Sequence, residues 1–306
     1  MLPWLKSTFH FNVAARRLRT RRFAEAAAGF SEVIRLSPDH PAAYVNRGVA
    51  LQGMNDHRRA VDDFDGAIRL MSSFSPAHRA LTYYGRGVSW KFIGDLDRAA
   101  ADYGQALAIN PRFSPAHEEL GILASLRQDF DATIAHLSRA IKLSPRRASH
   151  YKTRGLAYFD RGSFADAETD LRYAINIADD PYALLFWYLA SLKIGRDAAE
   201  EFASRARRLN GRQWPFPIVT LYLGKTSDGP VRAAARTADD CAEAEFYIGE
   251  WHLHARRRTE AIAALQVAAK SCPRWFMEHT AAVMELKRQR AVGAAENVEE
   301  SPSSAR

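Results

Sequence analysis

Residues 80–113 read ALTYYGRGVSWKFIGDLDRAAADYGQALAINPRF, and this stretch decides the fold. Gly87 is followed 16 residues on by Tyr103, 19 residues on by Ala106, and then by a closing Pro111. The same arrangement surrounds Gly48, Gly121, Gly155 and Gly249. Their bulky residues are Phe64, Leu137, Leu171 and Leu265, and their alanines Ala67, Ala140, Ala174 and Ala268. Gly87, Gly121 and Gly155 stand 34 residues apart. A period of that length marks a solenoid built from helix–turn–helix units.

Each unit reads as two amphipathic helices. In 41–74, Tyr44, Gly48 and Leu51 share one face of a first helix. After a break at Gly53–Asp56, Ala60, Phe64 and Ala67 mark one face of a second. A glycine inside a helix costs about 1 kcal/mol against alanine. Its recurrence at one phase therefore points to close approach of two antiparallel helices, with Phe64 and its counterparts filling the space between units. Prolines at Pro38, Pro111, Pro145 and Pro273 cannot continue a helix and end several second helices.

The pattern closely resembles the tetratricopeptide repeat. Its eight marked positions appear in 80–113 as Tyr83, Arg86, Gly87, Trp90, Ala99, Tyr103, Ala106 and Pro111; Arg86 stands where the family favours leucine. Unit 148–181 fits with Tyr151, Gly155, Tyr158, Ala167, Leu171 and Ala174, while Asp179 replaces the proline. Unit 114–147 departs at His117 and Thr133, and unit 7–40 is degenerate at its start but carries Ala26, Phe30, Val33 and Pro38. The resemblance implies an all-α right-handed superhelix, an α-solenoid. Residues 1–6 form an extension, and five units follow (7–40, 41–74, 80–113, 114–147, 148–181), with an insertion near Met71–Ser75.

Beyond 181 the spacing breaks. Segment 182–241 reads as an irregular helical stretch: a pair over 182–209 hinged at Gly195, then a short helix Ile218–Leu223 after Trp214-Pro-Phe-Pro217. A last unit with a capping helix, Trp275–Arg290, occupies 242–290, and 291–306 reads as a disordered tail without apolar periodicity. The stretches WPFPIVTLYLG (214–224), CAEAEFYIGEWHL (241–253) and CPRWFMEHTAAVMELKR (272–288) resemble the end of bacterial NlpI-like tetratricopeptide proteins. Those are envelope proteins, often lipoproteins, that dock proteases and cell-wall enzymes. No lipobox cysteine lies near the N-terminus of this chain.

Composition narrows the class. Hydrophobic residues make up 47% of the chain, without a run of the roughly 18 apolar residues needed to span a bilayer. The start, MLPWLKSTFHFNVAARRLR, has no uninterrupted apolar core of a signal peptide, so the expected compartment is the cytoplasm. A start lying further upstream makes it the periplasm or envelope. Cys241 and Cys272 flank the last helical pair, whose antiparallel helices bring those ends together. A bridge closing that loop contributes about 3–4 kcal/mol, and two buried thiols are the alternative. The net charge is +8, with clusters at Arg16, Arg17, Arg19, Arg21 and Arg22, at Arg205, Arg207 and Arg208, and at Arg256–Arg258. These read as solvated helix faces or as contacts for an acidic partner, anionic lipid or nucleic acid. No sequence-reading nucleic-acid module accompanies them.

The chain reads as non-catalytic, with no cofactor and no metal. Gly224-Lys225-Thr226 lacks the preceding glycine of a phosphate loop, since Val219 stands there. His252 and His254 fall on different helix faces, unlike the i, i+4 pair a helical zinc site uses. Asp62–Asp63 and Glu118–Glu119 are adjacent carboxylates pointing to different sides. In tetratricopeptide arrays the first helices line a concave groove for a protein or peptide. The resemblance places there Val45, Asn46, Val49 and Gln52; Leu81, Tyr84, Val88 and Lys91; Glu118 and Ile122; and Lys152, Leu156 and Phe159. Of the carboxylate clamp used by chaperone-binding members only Asn46 is present; Phe11, Ala15, Leu81 and Gly85 hold the other positions. The expected function is a scaffold or adaptor that holds an amphipathic helix or extended peptide. The alternatives are a self-associating oligomer and a basic-surface binder of nucleic acid or anionic membrane.

Overall fold

The computed structural model describes residues 3–209, 211, 213–274 and 276–299, which form α-helices and one short 3-10 turn. The chain divides into two compact units, Met1–Leu123 and Ala124–Arg306.

The first unit holds α1 (Pro3–Arg19), α2 (Phe23–Leu36), α3 (Pro41–Gly53), α4 (His57–Leu70), α5 (Pro76–Ile93), α6 (Leu96–Ile109) and most of α7 (Ser114–Leu126). α1 begins at Pro3, so residues 3–6 are helical and not a separate extension; residues 1 and 2 lie outside the described residues. Helices pack as consecutive antiparallel neighbours, α1 on α2, α3 on α4 and α5 on α6. The glycine phase has the packing cause that its recurrence implies. A Cβ built on Gly87 would stand 2.8 Å from the Tyr103 ring, and one on Gly48 3.1 Å from Phe64. Asp56 and Asp95 cap the second helices by accepting from the Arg59 and Arg98 amides, satisfying donors that a helix start leaves open. The five-residue insertion becomes the 3-10 turn Met71–Ser73 followed by Ser75, which caps α5 by accepting from His78 N–H.

The second unit holds α8 (Phe130–Leu143), α9 (Ala148–Arg161), α10 (Phe164–Ile177), α11 (Pro181–Lys193), α12 (Ala199–Ala206), α13 (Phe216–Tyr222), α14 (Asp228–Ala234), α15 (Ala238–His254), α16 (Arg258–Ser271) and α17 (Met277–Glu299). α11 is the centre of its core. Its run Ala183–Ser191 is buried all round, as a helix apolar on every side must be. The pair α15–α16 repeats the glycine packing, with Gly249 against Leu265. Gly195, at φ +69°, turns the chain between α11 and α12, as the hinge reading requires. The irregular stretch carries one helix more than its sequence pattern shows: α14, which starts with Asp228, Gly229 and Pro230.

Two readings need correction. The stretch 291–299 continues α17, since AVGAAENVE is rich in residues that favour a helix; residues 300–306 lie outside the described residues. Cys241 and Cys272 are free thiols and not a bridge. Cys241 is exposed on α15, whereas Cys272 is buried at the end of α16, where burial pushes its pKa up to about 12.

Arg86 also acquires a reason. Arg47, Arg86 and Arg154 each precede a packing glycine, and each forms a two-pronged ion pair with the aspartate 16 residues on: Asp63, Asp102 and Asp170. The free Nη1 of each reaches back to the second helix of the preceding repeat, meeting Ser31, Asp65 and Ser138 respectively. One guanidinium therefore ties three helices. The five-residue insertion leaves Asp65 in the place that Ser31 and Ser138 hold in their repeats.

Candidate functional site: the first-helix face of unit 1

The first helices of the repeats in unit 1 are α3, α5 and α7. On α3, Val49 is 38% exposed, while Val45 and Asn46 are half-buried. On α5, Leu81 is 48% exposed, and Tyr84 and Val88 are half-buried. Glu118 and Ile122 on α7 are half-buried as well. The amphipathic spacing thus leaves an apolar strip that is neither core nor fully open.

Polar groups on this face are largely engaged by the protein itself. Gln52 Nε2 donates to the Gly85 carbonyl (2.7 Å) and to Ser89 Oγ (2.9 Å), so it ties α3 to α5. Asn46 Nδ2 donates back to the Ala42 carbonyl on its own helix. Lys91 Nζ lies 2.6 Å from Glu119, pairing α5 with α7. The Tyr84 ring packs edge-on to Phe113 and tilted against Tyr103. Burial, with Glu119 close by, pushes the Tyr103 hydroxyl well above the usual phenol range, so it stays a neutral member of this wall. The face carries apolar side chains on a braced floor.

Unit 2 presents the matching face in part. Phe159 is completely buried in its core, and Leu156 packs against that core. Lys152 is paired with Asp180 at 2.6 Å. The Phe159 ring packs on Phe164 and Phe186, and α17 lies against α9. Arg288 Nη2 donates to the Phe159 and Asp160 carbonyls, at 2.8 and 2.6 Å. Two more anchors hold α17: Tyr247 donates to Glu278 (2.9 Å), and Lys193 bridges Glu250 and Glu285 (2.9 and 3.1 Å). Phe159 is therefore removed from the open groove expected of it, whereas Lys152 and Leu156 are half-buried, as Tyr84 and Val88 are. Burial pushes the Glu278 carboxyl up to about 8, with the neighbouring Glu243 adding to it.

The motifs set aside in the sequence also find places. Asp63 is buried on Arg47 while Asp62 is exposed. Glu119 engages Lys91, and His252 Nε2 lies 3.6 Å from Asp228.

Comparison with known proteins places this geometry. The tetratricopeptide repeat family matches residues 14–72, 92–148 and 127–183. PilF of Pseudomonas aeruginosa superposes with a TM-score of 0.60 at 13% identity, covering 73% of this chain and 97% of that one. PilW, described as a widely conserved type IV pilus biogenesis factor, gives 0.56 at 19%, covering 70% and 97%. MamA of Desulfovibrio magneticus gives 0.51 at 22%, covering 56% and 94%. At these identities the likeness is one of fold. The chain carries tetratricopeptide repeats, and its fold is that of an all-α tetratricopeptide-repeat solenoid.

Proposed function

We propose that the chain is a non-catalytic scaffold that holds a protein partner on the first-helix face of unit 1. The observation that carries this reading is the exposed apolar pair Val49 and Leu81, set on helices that Gln52 and the Lys91–Glu119 pair brace. A braced surface loses little entropy when a partner settles on it. The occupant is an amphipathic helix or an extended peptide, laid with its apolar side on Val49, Leu81, Tyr84 and Val88. A protease or cell-wall enzyme of the envelope is the partner class that the C-terminal resemblance implies.

A peptide-display selection against the whole chain tests this. Peptides enriched on the wild type are expected to bind the Val49→Glu/Leu81→Glu variant at least about tenfold more weakly, with helix content unchanged. Failure to enrich any peptide, or equal binding to both proteins, overturns the reading.

A further inference from the structure

The helix α1 carries a surface that the peptide-binding reading does not use. Its inner side is committed: Ser7 and Ala14 are buried, Ser7 Oγ meets Ser37, and Phe11 packs edge-on to Phe30 and stacks on His40. That fixes which arc faces out. Along the outer arc, Leu5, Phe9, Asn12, Arg16 and Arg19 succeed one another at helical spacings of four and three. Trp4 flanks the arc. Trp4 and Phe9 are each 62% exposed and Leu5 41%, an unusual outlay of large apolar surface within two helical turns.

Charge is just as uneven. Lys6, Arg16, Arg17, Arg19, Arg21 and Arg22 all precede Glu25, the first acidic residue of the chain. Arg17 and Arg22 turn toward Glu25, whereas Arg16 and Arg19 stay on the exposed arc. The arc is thus sorted along its length, apolar at one end and cationic at the other.

We propose that α1 docks the chain peripherally on an anionic lipid surface. Phe9 and Arg16 are separated by about 10 Å along the helix. On a helix lying in the plane of the surface that separation is lateral: Trp4, Leu5 and Phe9 enter the headgroup–acyl boundary while Arg16 and Arg19 meet phosphates alongside. The arc is a convex ridge, which a deformable lipid phase accommodates. No helix among the described residues is long and apolar enough to cross a membrane, so attachment through α1 is peripheral.

The test is co-sedimentation of the full chain with vesicles of phosphatidylcholine alone and of phosphatidylcholine mixed with an equal part of phosphatidylglycerol. The chain is expected to pellet with the anionic vesicles and stay free of the neutral ones. Trp4→Ala/Phe9→Ala and Arg16→Gln/Arg19→Gln are each expected to weaken binding by about tenfold or more. All four positions are exposed, so circular dichroism is expected to show unchanged helix content. Absence of vesicle binding overturns the proposal. So does binding that depends on the arginines and not on Trp4 and Phe9, which reports bare charge. Binding of a single-stranded oligonucleotide in place of vesicles overturns it too, as does self-association through these same residues in light scattering. The outcome is independent of the peptide selection, because Val49 and Leu81 are untouched.

Discussion

Arg86 grips Asp102 with two hydrogen bonds, Nε at 2.9 Å and Nη2 at 2.7 Å, joining the two helices of one repeat. Asp102 is almost completely buried, and that grip compensates its removal from water. The chain contains its own control for this pair. Where Leu120 and Ile248 precede the packing glycine, the residues 16 further on are His136 and Ala264, and neither is an aspartate.

Arg86→Leu alone is expected to destabilise the protein by about 3 kcal/mol, because it strands a buried carboxylate. Arg86→Leu with Asp102→Ala, an aliphatic–alanine pairing like that of Ile248 and Ala264, is expected to recover most of that loss. Denaturant unfolding of the two variants checks this; a double variant no better than the single one contradicts the pairing account.

The turn between paired helices asks for a left-handed residue in every repeat. Arg21, Asn55, Gly94, Gln128, Gly162 and Arg256 all have φ between 58° and 94°. A side chain with a Cβ pays about 1–2 kcal/mol there, offset in part by the larger unfolded-state entropy of glycine. Gln128→Gly is therefore expected to stabilise by about 0.5–1 kcal/mol. A lowered unfolding midpoint for this variant contradicts the assignment.

Much of this was legible in the sequence, and the reasons separate what was from what was not. Gly87, Tyr103 and Ala106 encode a packing phase, so repeats and helices could be read directly. Arg86 could be noticed only as a departure; the aspartate 16 residues on was the signal that completed it. The path of α17 left no such trace. Periodicity identifies an apolar side and is silent on which distant helix that side meets. Glu278 and Glu285, which anchor α17, are acidic residues that a pattern reading assigns to solvent. Phe159, completely buried on α9, lost the groove role that its phase implied.

Those buried acids make stability depend on pH. Glu278 faces Glu243 and Tyr247 from α15 and Lys152 from α9; burial first and Glu243 second raise its pKa from an ordinary 4.5 to about 8. The folded chain then keeps a proton that the unfolded chain releases. Stability from this group is complete below about pH 4.5 and is lost as pH rises through about 8. Burial also pushes up Asp160, Glu243 and Glu250, which act in the same direction, whereas Glu285 is lowered by Lys193 and Arg288. The thermal midpoint is expected to fall between about pH 5 and about pH 8, and Glu278→Gln to flatten the slope. An unchanged slope in that variant contradicts the burial of a protonated Glu278.

The most direct test of the central claim places a photo-crosslinking amino acid at Leu81 in one protein and at Leu156 in another, each irradiated in the cell. Crosslinks to a second protein from Leu81 and none from Leu156 are the predicted result, because the first site is open on unit 1 and the second is packed against the core of unit 2. Capture from Leu156, or silence at Leu81, contradicts the assignment of the partner to the α3–α5–α7 face.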